Sequence, residues 1–384
     1  MARKRRTRRA AALVAATLAA GCGSLRRDNR PGEIQFATTR PAPSLAETFL
    51  RTNYLYPARD YLLWTWAGRA LVGDEAWDVT PGGGVPDSAW YVNRNLARVD
   101  AATFGGAVRP RGPWRVIEPK RGGATAGFVG ADASGRRWLV KLDDAEYPEL
   151  GSAAEAIGSR LYWALGYRVP HTFVVRVSGT GDARFDGRRG CAVELIGGRL
   201  LGTASMDRFR MRREVRALRL AGVWLNETDR DDHNTIVADE DGAARVYLID
   251  FNSALGSWNG RPKEAWRGWR CAWDVEWQCV MVATLGLVRP AIDERQPVVS
   301  RAVGRLAARV DVRRWRPQNP KTAFDRMTAA DARWMAAKMA AVTDEMLARV
   351  VRAGEYSDRA DERYVYETLR ERRAAVIAAA RAWR

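Results

Sequence analysis

Thr228-Asp-Arg-Asp-Asp-His-Asn234 and Tyr247-Leu-Ile-Asp-Phe251 bracket a short predicted hairpin, and together they set the polar chemistry of this chain's second half. The hairpin is read from Thr235-Ile-Val237, the turn Asp239-Glu-Asp-Gly242 and an apolar strand, Val246–Phe251. Asp229 and Asn234 stand five residues apart. At that spacing one loop can offer a base to an acceptor hydroxyl and an amide oxygen to a metal ion. Asp231, Asp232 and His233 crowd the same loop, so the base or ligand could also come from them. Asp250 closes a very apolar strand sixteen residues beyond Asn234, where a carboxylate is costly to bury unpaired. Asn234 and Asp250 could converge on Mg2+, which prefers hard oxygen ligands completed by water and substrate phosphates.

Toward the N-terminus the texture is strand-rich. Short apolar runs at Trp114–Glu118, Gly127–Gly130, Trp138–Leu142, Thr172–Val177 and Cys191–Ile196 are separated by Gly/Asp turns. Lys120-Arg-Gly-Gly-Ala-Thr-Ala-Gly127 joins the first two. Gly122, Gly123 and Gly127 there would let backbone N–H groups approach phosphate oxygens without Cβ interference. Lys141 lies in Trp138-Leu-Val-Lys-Leu142, and its natural acidic partner is Glu155 near the start of the next helix. That helix is predicted from Ser152 to about Trp163, with Ser152 as N-cap, Glu155 as capping-box partner, and Ala154, Ile157, Leu161 and Ala164 on its apolar face. Asp207–Leu225, Ala329–Ala353 and Asp361–Trp383 read as helices, the first with arginines opposite its apolar side. Trp269, Trp273 and Trp277 would share one helical face and read as packing.

The order is a strand-rich lobe with one helix, then a helical lobe with one inserted hairpin: an α+β, bilobal architecture. Its polar groups suit phosphoryl transfer, which needs phosphates held, a metal positioned and an acceptor oxygen oriented.

Composition narrows the classes further. The chain has 384 residues and 47% hydrophobic content, which excludes collagen, coiled coil and wholesale disorder. With only two histidines, triad hydrolysis is poorly supplied. Cys191, Cys271 and Cys279 do not recur at metal-ligand spacing, and three is an odd number, so at least one thiol is free or pairs between chains. Residues 1–9 carry six basic residues and no acid, ahead of an apolar run, Ala10–Ala20, too short to span a bilayer. Residues 1–21 therefore read as a signal peptide. Leu18-Ala-Ala-Gly-Cys22 resembles the lipobox of bacterial lipoproteins, which marks Cys22 for lipidation; a plain cleaved signal is the alternative. Without residues 1–21 the net charge falls from +18 to +12, compatible with anionic headgroups or a polyphosphate ligand. No basic run interleaved with aromatics points to nucleic acid. Residues 22–53 read as a tether, 54–112 as an extension wrapping the main domain, 113–200 as the strand-rich lobe and 201–384 as the helical lobe.

The joint order of Gly-rich hairpin, strand Lys141, helix Glu155, Asp229-x4-Asn234 loop and Asp250-Phe251 resembles the protein kinase-like superfamily. It is most similar to the atypical branches: HipA-like, spore-coat and secretory-pathway kinases. The run from Pro86-Asp-Ser-Ala-Trp90 through Tyr147-Pro-Glu-Leu150, Leu165-Gly-Tyr-Arg-Val-Pro170 and Gly354-Glu-Tyr-Ser-Asp358 also resembles a group of bacterial predicted lipoproteins. The kinase resemblance implies ATP and Mg2+ as cofactors. Lys141 would hold phosphates, paired with Glu155; Asp229 would orient the acceptor; Asn234 and Asp250 would bind metal; Gly122, Gly123 and Gly127 would shape the phosphate loop. The loop lacks His-Arg before Asp229, and Asn252 replaces the glycine of Asp-Phe-Gly. Three functions stay open: a membrane-tethered kinase of the bacterial envelope with an unknown acceptor, an inactive pseudokinase serving as a lipoprotein scaffold, and AMP transfer on the same fold. The bacterial periplasm is not known for ATP, which weighs toward the second.

Overall fold

The computed structural model describes residues 28–30, 74–272, 275–288, 296–319 and 321–384. The signal peptide, most of the tether and Cys22 lie outside them. Strands β1 (Arg115–Pro119), β2 (Gly127–Ala131), β3 (Arg137–Leu142), β4 (Thr172–Arg176) and β5 (Arg189–Glu194) form one antiparallel sheet in the order β1-β2-β3-β5-β4. In β3 the alternation works as expected: Trp138, Val140 and Leu142 are buried together in the core. Lys141, between them on the other face, is buried as well. A buried ammonium in a strand is the first structural sign of a site.

Two glycines let the neighbouring strands close on Lys141. A Cβ on Gly127 would lie 2.0 Å from the Val140 carbonyl oxygen, and one on Gly190 would lie 2.1 Å from the Lys141 carbonyl oxygen. Helix α1 (Leu150–Ala164) then crosses the sheet with all of its residues buried. Its start differs from expectation. Ser152 lies inside the first turn, and Glu149 in the cap position makes no side-chain cap bond. Asp143 serves from outside the helix: its carboxylate accepts the N–H groups of Glu149 (3.0 Å) and Ser152 (2.7 Å) and the Ser152 hydroxyl (2.6 Å). Glu155 is thereby released from capping.

The second lobe starts with a short sheet, β6 (Arg199–Gly202), β7 (Thr235–Glu240) and β8 (Ala243–Leu248), with helix α2 (Arg213–Leu225) inserted between β6 and β7. A two-residue ladder, β9 (Ser257–Trp258) with β10 (Arg261–Pro262), and helices α3 (Val275–Ala283), α4 (Thr322–Asp325), α5 (Ala329–Ala340), α6 (Asp344–Arg352) and α7 (Arg359–Arg381) complete it. The predicted helix Asp207–Leu225 is interrupted. A 3-10 turn at Met206–Phe209 precedes α2, whose first N–H, from Arg213, is taken by Asp78. The arginines of α2 do not face water. Arg213 and Arg216 are buried and share the carboxylate of Asp331 on α5. The predicted single helix Ala329–Ala353 is two, because Thr343 accepts the N–H of Met346 and starts α6 anew. Trp269 lies in a turn, and Trp273 lies outside the described residues.

Residues 74–104 run against both lobes. Ala89 accepts from Val246 N–H, Tyr91 pairs with Tyr167, and Trp90 packs edge-on against Phe209. Among the described residues, no helix is long and apolar enough to cross a membrane.

Candidate active site

The sheet, α1 and the end of β8 converge on Lys141. Its Nζ donates to Glu155 Oε1 at 3.2 Å and to Asp250 Oδ1 at 2.9 Å. Burial alone would lower the Lys141 ammonium, but the two carboxylates outweigh it and hold the group charged. Burial raises Glu155, partly offset by Lys141 and by the Phe251 backbone N–H. Asp250 goes the other way: burial raises it, and Lys141, Arg230 and Lys120 outweigh that and keep it ionised. Its side chain stays 38% exposed. The chain leaves β8 at Leu248, and Asp250 takes a left-handed conformation, φ 60°, strained for a residue with a Cβ. That kink turns the carboxylate out of the strand toward Lys141 instead of continuing the ladder to Phe251 as the sequence predicts.

The loop after α2 is tied down from below. Asn234 Nδ2 donates to the Asp229 carbonyl, which leaves its Oδ1 as acceptor. Buried Arg230 donates to the carbonyls of Asn234 (2.8 Å) and Ile249 (2.7 Å) and to Glu227 Oε2 (2.8 Å). Tyr162 of α1 also donates to Glu227 Oε2. Arg230, Glu227 and Tyr162 thus lock the loop, the strand before Asp250 and α1 into one unit. Sequence reasoning missed this set. Arg230 sat in the quoted loop beside Glu227 and Asn234, but Ile249 and, through Glu227, Tyr162 come near only in the fold.

The crowded loop resolves by partner. Asp231 is held by Lys321 (2.5 Å) and Asn319 (2.8 Å), and Asp232 by the Met206 N–H (3.1 Å). Neither is at liberty to act as a base. Asp229 is half-buried, and among the described residues no side chain hydrogen-bonds its carboxylate. Burial, then Glu227, Asp231 and Asp250, push it up to about 8.

The Gly-rich hairpin between β1 and β2 closes on itself. Gly122 and Gly123 both have positive φ, 79° and 75°, which glycine adopts without a Cβ penalty. Lys120 Nζ donates to the carbonyls of Gly122 (2.7 Å) and Thr125 (2.8 Å). Burial and Lys141 lower the Lys120 ammonium, so a second cation stands near the first.

The donor set fits a magnesium–nucleotide pair. Asp250 and the Asn234 amide oxygen are hard oxygen donors, and Lys141 and Lys120 are cations that phosphate oxygens could engage. Among the described residues no three His, Cys, Asp or Glu side chains gather as a caged metal centre. An ion held by one carboxylate, one amide and substrate phosphates would not need one.

Lys263, a further positioning group, was not found from sequence. It is buried and donates to the carbonyls of Asn226, at the end of α2, and Leu255 (3.0 Å), just beyond Asp250. Burial pushes its ammonium far below the usual range.

No family model and no curated protein matches the chain. Among solved structures it is similar to the Helicobacter pylori proinflammatory kinase CtkA, at 10% identity and TM-score 0.44 over 70% of this chain and 95% of that one. It is similar to the kinase domain of Mycobacterium tuberculosis PknI, a C20A mutant, at 13% identity and TM-score 0.25 over 69% and 99%. HipA of Shewanella oneidensis MR-1, solved with HipB and operator DNA, follows at 9% identity and TM-score 0.32 over 73% and 76%. The element order is α+β: a five-stranded antiparallel sheet with one helix, then a mostly helical lobe.

Proposed function

We propose that this chain is an ATP- and Mg2+-dependent phosphotransferase, exported and tethered to a bacterial membrane through Cys22. The observation that carries the reading is the Lys141 ammonium, buried in a strand and bonded at once to Glu155 and Asp250. A buried lysine held by two carboxylates from different elements has more partners than a strand needs, and a phosphate can take the place of one. Bound MgATP would supply the phosphoryl group and a metal to offset its charge. Lys141, oriented by Glu155, would hold phosphate oxygens. Gly122, Gly123 and Gly127 would bring backbone against them. Asn234 and Asp250 would hold the metal, and Asp229 would accept the acceptor hydroxyl's proton. The acceptor is set by chemistry outside these groups.

One observation favours a second reading. Lys141 and Asp250 neutralise each other directly, an arrangement that also suits a non-catalytic binding scaffold. Incubation with ATP labelled at the γ- or the α-phosphate, with Mg2+ and envelope extract as acceptor source, separates the possibilities. Phosphotransfer gives γ-label only, lost in Asp250→Ala. Label from the α-phosphate would mean nucleotidyl transfer, and labelling unchanged in Asp250→Ala would sink the assignment.

A further inference from the structure

On the segment that leaves β5 at Leu195–Gly197 lies a cleft of about 300 Å³, lined among others by Arg94, Trp163, Arg168, His171, Glu194 and Tyr247. Its charges are unbalanced. The Arg94 guanidinium lies 4.4 Å from the Trp163 ring centre and donates to the carbonyls of Trp163 (2.9 Å) and Tyr167 (3.1 Å). Among the described residues Arg168 makes one long bond, from Nη2 to the Ser88 carbonyl at 3.3 Å, and its buried Nε has no partner. Among the described residues neither guanidinium pairs with a carboxylate. Glu194, the acid in the lining, is already taken by His171 Nδ1 (2.7 Å) and by Arg136.

The titration of these groups agrees with the geometry. Burial, then Arg168, lower Arg94 to about 10. Burial and Arg245 lower Arg168, against a smaller pull from Tyr247, Glu240 and Asp87. Burial and the guanidiniums of Arg136, Arg160 and Arg94 lower His171 to about 4. Two guanidiniums that pair with no carboxylate, in a cleft whose lining acid is already engaged, leave a positive potential that an anion would relieve.

We propose that this cleft is a second ligand site, binding an oxyanion of the phosphate class between Arg94 and Arg168. Two guanidinium forks arriving from separate segments ask for acceptor oxygens on more than one side. A tetrahedral phosphate offers these better than a planar carboxylate does. The site is placed to be felt elsewhere. The Arg168 carbonyl accepts the N–H of Leu248 at 2.9 Å, and Arg168 pairs in parallel with Tyr247, three residues before Asp250. An anion that fixes Arg168 therefore braces the strand that delivers Asp250.

The test is thermal melting of the full chain against inorganic phosphate at constant ionic strength. The wild type should show a saturable rise in melting temperature. Arg168→Gln should need about tenfold or more phosphate for the same rise, the scale of one lost charged hydrogen bond. Arg168→Lys keeps the charge but not the fork, and should fall between the two. No rise in the wild type, or an equal response from Arg168→Gln and the wild type, would overturn the site. The result does not depend on whether the interlobe cleft binds a nucleotide.

Discussion

Asp229 is the residue at which chemistry and stability pull in opposite directions. Its carboxyl is raised to about 8, with burial the largest cause, so below that pH it is mostly protonated and cannot act as a base. Transfer should therefore rise with pH and level off above about 8, and Asp229→Asn should abolish it rather than move the profile. Stability carries the other sign. The folded state holds this proton from the ordinary Asp range near 4 up to about 8 while the unfolded chain has released it, so stability falls as pH climbs through that window. Asp229→Asn should flatten this slope in thermal melts. A pH–rate profile with no step near 8 would remove Asp229 from the role of base. Lys141 is a different case, because its charge is fixed by two carboxylates and should not titrate in any usable range.

At the scale of elements, the same sequence signals succeeded and failed for identifiable reasons. The strands were legible because their apolar runs are short and end at Gly/Asp turns. The Asp132-Ala-Ser-Gly135 turn closes as composition suggests, with the Asp132 carboxylate accepting from the Ser134 and Arg136 N–H groups. The start of α1 was misread because Ser152 and Glu155 have capping-box spacing, yet the cap comes from Asp143, nine residues before Ser152. Local spacing cannot reveal a long-range cap. This makes a comparison: Asp143→Ala should cost about 2 kcal/mol, and Ser152→Ala clearly less, in denaturant melts. Equal losses would restore Ser152 as the cap. The arginines of α2 were misplaced for a related reason. Charge predicts exposure until a partner such as Asp331, 115 residues from Arg216, appears in the fold. Of the site, Lys141, Glu155, Asp229, Asn234 and Asp250 were legible as types in order. Arg230, Glu227, Tyr162 and Lys263 were not, since each works through backbone carbonyls or partners that only the fold brings near.

Across the whole molecule, buried polar links tie the two lobes together beside an apolar core that they share. Tyr162–Glu227–Arg230 joins α1 to the loop of Asp229. Arg189 of β5 reaches the carbonyls of Gly354 (2.5 Å) and Glu355 (2.6 Å) after α6. Within the second lobe, Arg372 of α7 likewise donates to the carbonyls of Val223 and Trp224 at the end of α2. The excess of arginine that first pointed to anionic partners is thus partly structural: buried guanidiniums satisfy helix-terminal carbonyls. The two ligand sites proposed above rest on other cations: Lys141 with Lys120, and Arg94 with Arg168. The central claim is that the first of these pairs receives nucleotide phosphates, and thermal melting with and without millimolar MgATP tests it most directly. The account predicts a saturable rise for the wild type that is lost in both Lys141→Met and Asp250→Ala, each compared with its own nucleotide-free melt. No rise in the wild type, or the same rise in both variants, would contradict it.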